Sequence, residues 1–216
     1  VWPDYPVTAE QQPRFVERMW THIRKAVREA KTHTSWLRPD EAYEAAVAQF
    51  LRAILRSGNY FLQVFRQLQA RVSAFAKYNT LAAINLRMGA PGVLDNYQGS
   101  ELWNYSLVDP DNRRPVDFNL RRHLLGRVQS LVGGNDDPAA VAVELLREKR
   151  DSRIKIFTLW RGQNFRSRYR ELFLDGEYLP LEVEGGRAEH VTAYARVLEE
   201  RIAIVVSGRF FWTLCG

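Results

Sequence analysis

The sequence predicts an α+β protein in which about six helices precede a small antiparallel β-meander. Apolar residues recur every three or four positions through most of residues 13–174, which is the spacing of one helical face. After Gly176 they recur at every second position, as in a half-buried strand. Neither period holds from Gly89 to Asp117, where prolines and glycines are frequent, so a long loop is predicted between two groups of helices.

The first three helices have recognisable ends. Thr8 and Gln11 have the spacing of a capping box, and Pro13 predicts that the regular helix begins there. A second helix is predicted from Pro39, with acidic residues in its first turn, to the stop signal Gly58. The third is predicted after Asn59 and extends to about residue 88, with a break at residues 78–79.

The second half of the chain has three more helices and the strands. Asp117 is the predicted N-cap of the fourth helix, a turn at residues 133–138 leads into the fifth, and the sixth spans about 152–174. The strands are predicted at residues 179–183, 191–197 and 202–206. The last strand has no partner after it, so we expect the native sheet to continue past Gly216.

The composition excludes several classes of protein. Hydrophobic residues make up 46% of the 216 residues and charged residues 26%, which is typical of a folded chain and not of a disordered one. No stretch approaches the ~18 apolar residues of a membrane span, and no secretory signal is present. The single cysteine, Cys215, cannot form an internal disulfide, so a cytoplasmic location is expected. An absent initiator methionine and an apolar C-terminal run suggest a piece of a longer protein.

Motifs for the common enzyme classes are missing. The four histidines, which we interpret as structural, are scattered and form no metal-ligand pair, so no metal site is predicted. The sequence also has no phosphate-binding loop, dinucleotide glycine motif, nucleophile elbow or CxxC pair. The net charge of +6 is spread along the chain, which favours a solvated basic face over a nucleic-acid site.

The loop at residues 89–117 carries the side chains suited to sugar binding. Aromatic rings can stack on the apolar face of a pyranose, and amide, carboxylate and guanidinium groups can bind its hydroxyls. The aromatic candidates are Tyr97, Trp103 and Tyr105, and the polar ones are Gln98, Glu101, Asp111, Asn112, Arg113 and Arg114. An equally weighted alternative is that Asp111 pairs with Arg113 or Arg114 merely to pin the loop.

Motifs within this loop resemble those of a known family. Pro91-Gly92-Val93 and Tyr97-Gln98-Gly99-Ser100-Glu101-Leu102-Trp103 resemble the segment after the eighth barrel strand of the α-amylase superfamily. Residues 31–36, 109–117 and 173–181 make the chain look specifically like the maltooligosyltrehalose synthases, and the run 109–117 is the most specific match. Leu94 and Asn96 depart from the family's usual proline and apolar residue.

The resemblance implies that the chain is a C-terminal-side fragment. Family members contain a (β/α)8 barrel, which takes ~250 residues and eight strands and cannot be closed by this chain. By resemblance, residues 1–88 are a helical insertion subdomain and residues 89–175 hold the last barrel-strand loop with the following helices. Residues 176–216 would then be the truncated start of a C-terminal antiparallel β domain.

The resemblance also implies a reaction. The family isomerises the reducing-end α-1,4 linkage of a maltooligosaccharide to an α,α-1,1 linkage and needs no cofactor. Its catalytic carboxylates lie in earlier motifs that have no counterpart here, so no residue of this chain is predicted to be catalytic and the fragment alone is expected to be inactive. The candidates for lining or bracing the sugar subsites are Tyr97, Gln98, Glu101, Asn112, Arg113 and Arg114.

Two other functions are compatible with the sequence. The chain could be a basic helical module that binds an anionic partner such as nucleic acid through its arginines, in which case binding would depend steeply on salt. It could also be a purely structural piece whose loop only packs against the rest of a larger enzyme. The resemblance favours a maltooligosaccharide as the ligand, with neither nucleic acid nor membrane as a partner, and leaves the oligomeric state open.

Overall fold

A computed structural model describes residues 8–134 and 137–215. Residues 1–7, Gly216, and Asn135 and Asp136 of the predicted turn lie outside the described residues. The helices are α1 Gln12–Ala30, α2 Glu41–Ile54, α3 Tyr60–Gly89, α4 Phe118–Gly133, α5 Pro138–Arg147, α6 Arg153–Arg168, α7 Arg170–Leu174 and α8 Phe211–Cys215. The strands are β1 Glu177–Leu181, β2 Val191–Leu198 and β3 Arg201–Gly208.

The α+β class and the order of helices before strands are confirmed. The chain divides into two compact units, of which the first comprises residues 1–73 and 105–115. The second comprises residues 74–104 and 116–216. The predicted three-part division at residues 88 and 175 stays a prediction.

The residues predicted to cap helices α1, α3 and α4 lie at the N-terminal ends of those helices. Thr8 and Gln11 exchange two hydrogen bonds of 3.2 Å, the reciprocal pattern of a capping box, and α1 begins at the next residue. The Asn59 side chain accepts from the Phe61 amide at 2.8 Å before α3. Asp117 accepts from the Leu120 amide at 2.9 Å, so the start of α4 is set at the end of the loop.

Two helix predictions are wrong. The break predicted at residues 78–79 is absent, because Tyr78 packs its ring against Phe211 with centroids 5.5 Å apart and α3 continues unbroken. The predicted sixth helix is two helices, since Tyr169 leaves the helical conformation at φ −112° and ψ 43°. With α8 after the sheet, the described residues therefore contain eight α-helices where about six were predicted.

Each unit has its own apolar core. In the first unit the buried cluster consists of Phe15, Leu51, Leu55 and Leu62. In the second it consists of Leu124, Val128, Val141, Leu145, Ile154, Ile156 and Phe157, contributed by α4, α5 and α6. Gly162 of α6 allows a close approach to α3, because a Cβ there would lie 2.6 Å from Cγ of Met88.

The sheet has the predicted meander topology. The strands lie in the order β1-β2-β3 and are antiparallel, with Leu179 opposite Ala195 and Ala195 opposite Ile204. The Arg196 side chain is fully buried and donates to the Gly89 carbonyl at 3.2 Å and the Gly176 carbonyl at 2.5 Å. The sheet is thereby attached to the C-terminal end of α3, where the long loop begins.

Candidate functional site

The predicted site residues lie in two turns of the long loop, one in each unit. Residues 97–103 form the Tyr97–Trp103 turn of the second unit, which contains three of the six candidates. Residues 109–114 form the Asp109–Arg114 turn of the first unit, which contains the other three and includes a single turn of 3-10 helix. The candidates therefore fall into two groups, one in each turn.

The Tyr97–Trp103 turn exposes its first two side chains. The Ser100 amide donates to the Tyr97 carbonyl at 3.0 Å, and Gly99 has φ +87°, a conformation that favours glycine. Tyr97 is 50% exposed and Gln98 is also exposed. An aromatic ring and an amide are therefore presented side by side to solvent, as a sugar platform requires.

Glu101 turns inward and is bound by an arginine. Arg121 of α4 donates through Nε to the Glu101 carboxylate at 2.7 Å, through Nη2 to the Gly99 carbonyl at 2.8 Å and through Nη1 to the Asp117 carbonyl at 3.0 Å. One guanidinium therefore joins both ends of the loop segment 99–117 to the first turn of α4. This arrangement favours a bracing role for Glu101.

Trp103 anchors the turn, which corrects the expectation that its face is open to a ligand. Its indole packs against the core cluster of the second unit, and its Nε1 donates to the Lys149 carbonyl at 2.6 Å. Its backbone amide donates to the Ser152 hydroxyl at 2.9 Å. The aromatic ring is thus part of the support beneath the exposed residues.

Lys155 of α6 supports the same turn from inside the protein. Its ammonium donates to the Leu102 carbonyl at 2.8 Å and lies 5.5 Å from the centroid of the Trp103 ring. Burial lowers the pKa of Lys155 to about 8; the Glu101 carboxylate opposes this shift, and Arg87 and Arg121 add to it. The turn therefore rests on a buried group that titrates near neutral pH.

Asp111 is the centre of the Asp109–Arg114 turn. Its carboxylate accepts from Arg18 of α1 at 2.7 and 2.9 Å and from the Leu107 amide at 2.7 Å. Burial alone would raise the pKa of Asp111, but the bonds from Arg18 and Leu107 outweigh burial and hold it below its ordinary value. The main partner is thus Arg18, and Arg114 also pairs with Asp111, as the pinning alternative assumed, with its Nε 3.5 Å from the carboxylate.

The other residues of this turn differ in how firmly they are held. Arg114 donates to the Asp111 carbonyl at 2.9 Å and to the Ser106 hydroxyl at 3.1 Å. Arg113 pairs with the Asp109 carboxylate, yet its side chain is 73% exposed. Asn112 is half-buried, and its Oδ1 has no hydrogen-bond partner within residues 8–134 and 137–215. The oxygen itself is buried, so it is not open to a ligand in this structure.

A groove of about 640 Å³ lies beside this turn in the first unit. Its walls are α1 and the loop residues that precede and include Asp111. The lining residues are Pro13, Arg14, Glu17, Arg18, Thr21, His22, Val108, Pro110 and Asp111. Within the described ranges no group of three His, Cys, Asp or Glu side chains is placed to hold a metal ion.

The segment at residues 31–36 is held by a buried carboxylate. Glu44 accepts from Arg28 at 2.7 and 2.8 Å and from the Thr34 hydroxyl at 2.7 Å. The bonds from Arg28 hold the pKa of Glu44 below its ordinary value. His33 packs against Tyr43 with ring centroids 4.9 Å apart, a contact that suits the structural role predicted for it.

No protein-family model matches this chain. A protein of Mycobacterium tuberculosis whose name assigns it to the maltooligosyl trehalose synthases is 37% identical over 192 residues, which are 89% of this chain and 22% of that protein. The solved structure of the maltooligosyltrehalose synthase of Arthrobacter ramosus is 31% identical in sequence and matches with a TM-score of 0.74. The match covers 98% of this chain and 24% of the Arthrobacter chain.

This chain belongs with the maltooligosyl trehalose synthases. A Sulfolobus tokodaii structure whose name places it in the same group is 26% identical with a TM-score of 0.66 and covers 89% of this chain. The family predicted from the loop motifs is confirmed. The chain spans about a fifth of the length of the curated relatives it matches, so it corresponds to one segment of a maltooligosyl trehalose synthase.

Sequence reasoning missed three residues that shape the two turns, namely Arg18, Arg121 and Lys155. Two of them carry a signal in the sequence. Arg121 lies in the first turn of α4, where the helix dipole disfavours a cation, and Lys155 interrupts the apolar run Ile154–Phe157. Arg18 has no such signal, because its partner lies far along the chain.

Proposed function

We propose that the full-length protein containing this chain isomerises the reducing-end α-1,4 linkage of a maltooligosaccharide to an α,α-1,1 linkage, giving a chain that ends in trehalose. The observation that carries the proposal is the Tyr97–Trp103 turn. Tyr97 and Gln98 are exposed in this turn. Arg121 and Lys155 donate to its backbone carbonyls, and its Trp103 donates to the Lys149 carbonyl. A rigid turn with an exposed aromatic ring and amide is suited to holding a glucose unit in one orientation.

The six candidates take different parts in this proposal. Tyr97 supplies a stacking face, and Gln98 can both donate to and accept from sugar hydroxyls. Asn112 is proposed to contribute its side-chain amide, and the exposed guanidinium of Arg113 offers donors. Glu101 and Arg114 each brace the turn in which they lie and are not the principal contacts.

The reaction proceeds through a retaining double displacement. One carboxylate attacks the anomeric carbon, and a carboxylic acid about 5–5.5 Å from that carboxylate protonates the leaving oxygen. The released glucose then attacks the same carbon through its own anomeric hydroxyl, whose proton returns to the acid while the first carboxylate leaves. Water must be excluded while the glucose turns, because water attack would give hydrolysis instead. The role of this chain is to help retain and orient that glucose.

Three carboxylates of the loop region, Glu101, Asp111 and Asp117, are poorly suited to be the nucleophile or the acid. Asp111 and Glu101 are each bound to an arginine, at 2.7 Å, and Asp117 caps α4. We therefore propose that the catalytic carboxylates lie elsewhere in the full-length protein. The same engagement of arginines disfavours the basic-module alternative, because Arg18, Arg28 and Arg121 are already paired with carboxylates.

We also propose where the chain lies in the longer enzyme. Residues 1–88 would be a helical insertion, residues 89–175 the last loop of a (β/α)8 barrel with the helices that follow, and residues 176–216 the start of a β domain. A location in the cytoplasm would suit this activity. No helix among the described residues is both long and apolar enough to cross a membrane.

The proposal is tested with Arg114→Ala in the full-length protein. We expect weaker binding of maltopentaose or a larger share of hydrolysis, because the Asp109–Arg114 turn loses the bonds of Arg114 to the Asp111 carbonyl and the Ser106 hydroxyl. Arg52→Ala, which removes an exposed arginine from α2, is the matched control and should change neither. Unchanged kinetics in Arg114→Ala would remove Arg114 from the site.

The isolated 216-residue chain gives a second test. It should not turn over maltopentaose, because it lacks the catalytic carboxylates. Trehalose-ended product from the pure chain would contradict their proposed location. Retention of the chain on maltodextrin and not on heparin, compared at two salt concentrations, would distinguish sugar binding from anion binding.

A further inference from the structure

Lys155 occupies a position where the fold itself calls for an apolar residue. It is 7% exposed, and its neighbours Ile154 and Ile156 belong to the second unit's core. Burying the Lys155 ammonium in this core costs hydration free energy that an aliphatic side chain would not lose. A contribution to folding stability therefore does not explain why a lysine is present at this position. Its contacts instead lead to the Tyr97–Trp103 turn.

The residues beneath that turn come from one short segment. The Lys149 carbonyl and the Ser152 hydroxyl accept from Trp103, and Lys155 donates to the Leu102 carbonyl. Of these three contacts, the one from Lys155 has an ionised donor, and such hydrogen bonds are stronger and more directional than neutral ones. Lys155 therefore fixes the Leu102 end of the turn, whereas the Arg121 guanidinium binds Gly99 and Glu101.

We propose that Lys155 is a positioning residue that holds Tyr97 and Gln98 in place for the sugar, through the Leu102 carbonyl and the Trp103 ring. The role in sugar binding rests on the function proposed above, whereas the role in ordering the turn does not. Lys155 touches no substrate; it acts through the backbone of the turn.

The charge on Lys155 makes this positioning depend on pH. The charged groups that face it are Glu101 of the turn, Arg121 of α4 and Arg87 of α3. Lys77 of α3 also lies 5.8 Å from the centroid of the Trp103 ring. When Lys155 loses its proton above about pH 8, its bond to Leu102 loses the ionic contribution and its attraction to the Trp103 ring disappears.

The test compares Lys155→Met and Lys155→Arg with wild type in the full-length protein. Lys155→Met keeps most of the volume but neither donates nor carries charge, and we expect about five- to tenfold weaker binding of maltopentaose, the equivalent of one hydrogen bond. The change should appear in KM more than in kcat. Lys155→Arg should restore binding at pH 7 and keep it constant to pH 9.5, where wild type weakens.

Hydrogen exchange separates this inference from the proposed function. In Lys155→Met the amides of residues 97–103 should exchange faster, whereas the control Lys149→Met should leave them unchanged. The Lys149 side chain lies over the Tyr78 ring, and the control keeps the Lys149 carbonyl. Faster exchange in a protein that binds no maltooligosaccharide would refute the proposed function and leave the positioning role intact.

Three results would overturn the positioning role. One is equal exchange of residues 97–103 in Lys155→Met and wild type. Another is a loss of binding that Lys149→Met reproduces. If Lys155→Met does not fold, the comparison of Lys155→Arg with wild type decides, and identical pH profiles for the two would overturn the proposal.

Discussion

Arg18 of α1 binds both carboxylate oxygens of Asp111, at 2.7 and 2.9 Å, across a sequence separation of 93 residues. The same guanidinium donates to the Tyr105 carbonyl at 2.6 Å. Because Asp111 is nearly fully buried, the pair forms where water competes weakly for either partner. It fixes the return of the long loop onto α1 within the first unit.

Asp111→Ala should lower the free energy of unfolding by about 2 kcal/mol, because it leaves Arg18 and the Leu107 amide without their acceptor. The matched control is Glu171→Ala, which breaks an exposed pair with Arg201 and should cost less than about 0.5 kcal/mol. Urea unfolding at pH 7 measures both. Equal effects of the two substitutions would mean that the Arg18 pair does not hold the loop.

Lys155 should make stability depend on alkaline pH. Its folded-state pKa is about 8 against an ordinary 10.5, so the unfolded chain binds more protons between these values. Stability due to this group therefore rises with pH across that window, by roughly 3 kcal/mol in total. The difference in unfolding free energy between wild type and Lys155→Met, measured in urea from pH 7.5 to 10.5, should grow in favour of wild type. A constant difference would show that Lys155 titrates normally.

Gly99→Ala should destabilise the protein more than Gly92→Ala. Both glycines have positive φ, at +87° and +90°, so both substitutions carry the same backbone strain of about 1 kcal/mol. Only at Gly99 would the new Cβ meet neighbours, with Val116 Cγ2 at 3.2 Å. The difference between the melting temperatures of the two variants measures the effect of the contact with Val116, because the backbone strain is common to both. A larger loss for Gly92→Ala would contradict the packing described for the turn.

Tyr97→Ala should weaken maltopentaose binding by about tenfold, which is the order of one lost stacking contact. Stability should change little, because the ring is half exposed. Tyr60→Ala removes a tyrosine that is 78% exposed on α3 and is the control for losing an exposed ring. Titration calorimetry with maltopentaose gives the affinities. Equal affinity of wild type and Tyr97→Ala would exclude Tyr97 from the sugar site.

The elements that could be predicted from the sequence are those set by local signals. Thr8 with Gln11, Asn59 and Asp117 each satisfy backbone amides a few residues away, so their effect is visible in the sequence. The meander was predictable for the same reason, since alternation sets the face and short turns set the order. The continuity of α3 was not, because no local pattern reveals that the Tyr78 ring packs against Phe211 from the other end of the chain.

The sequence predicted the residue types of the candidate site but not the positions and exposure of their side chains. The loop motifs identified the family and the residue types, but exposure decides which side chains can reach a ligand. Trp103 and Tyr97 look equivalent in the sequence, yet the structure packs Trp103 against the core and leaves Tyr97 half exposed. Arg18 pairs with Asp111 only because folding brings α1 to the loop, and no local pattern encodes that contact.

The products formed by the full-length protein from maltopentaose test the central claim most directly. Reducing ends and chain length are followed together over time. The account predicts that reducing ends disappear while the number of glucose units per molecule stays constant, with an α,α-1,1 linkage at the former reducing end. Release of glucose and shorter chains without that linkage, or no change in the substrate, would contradict it.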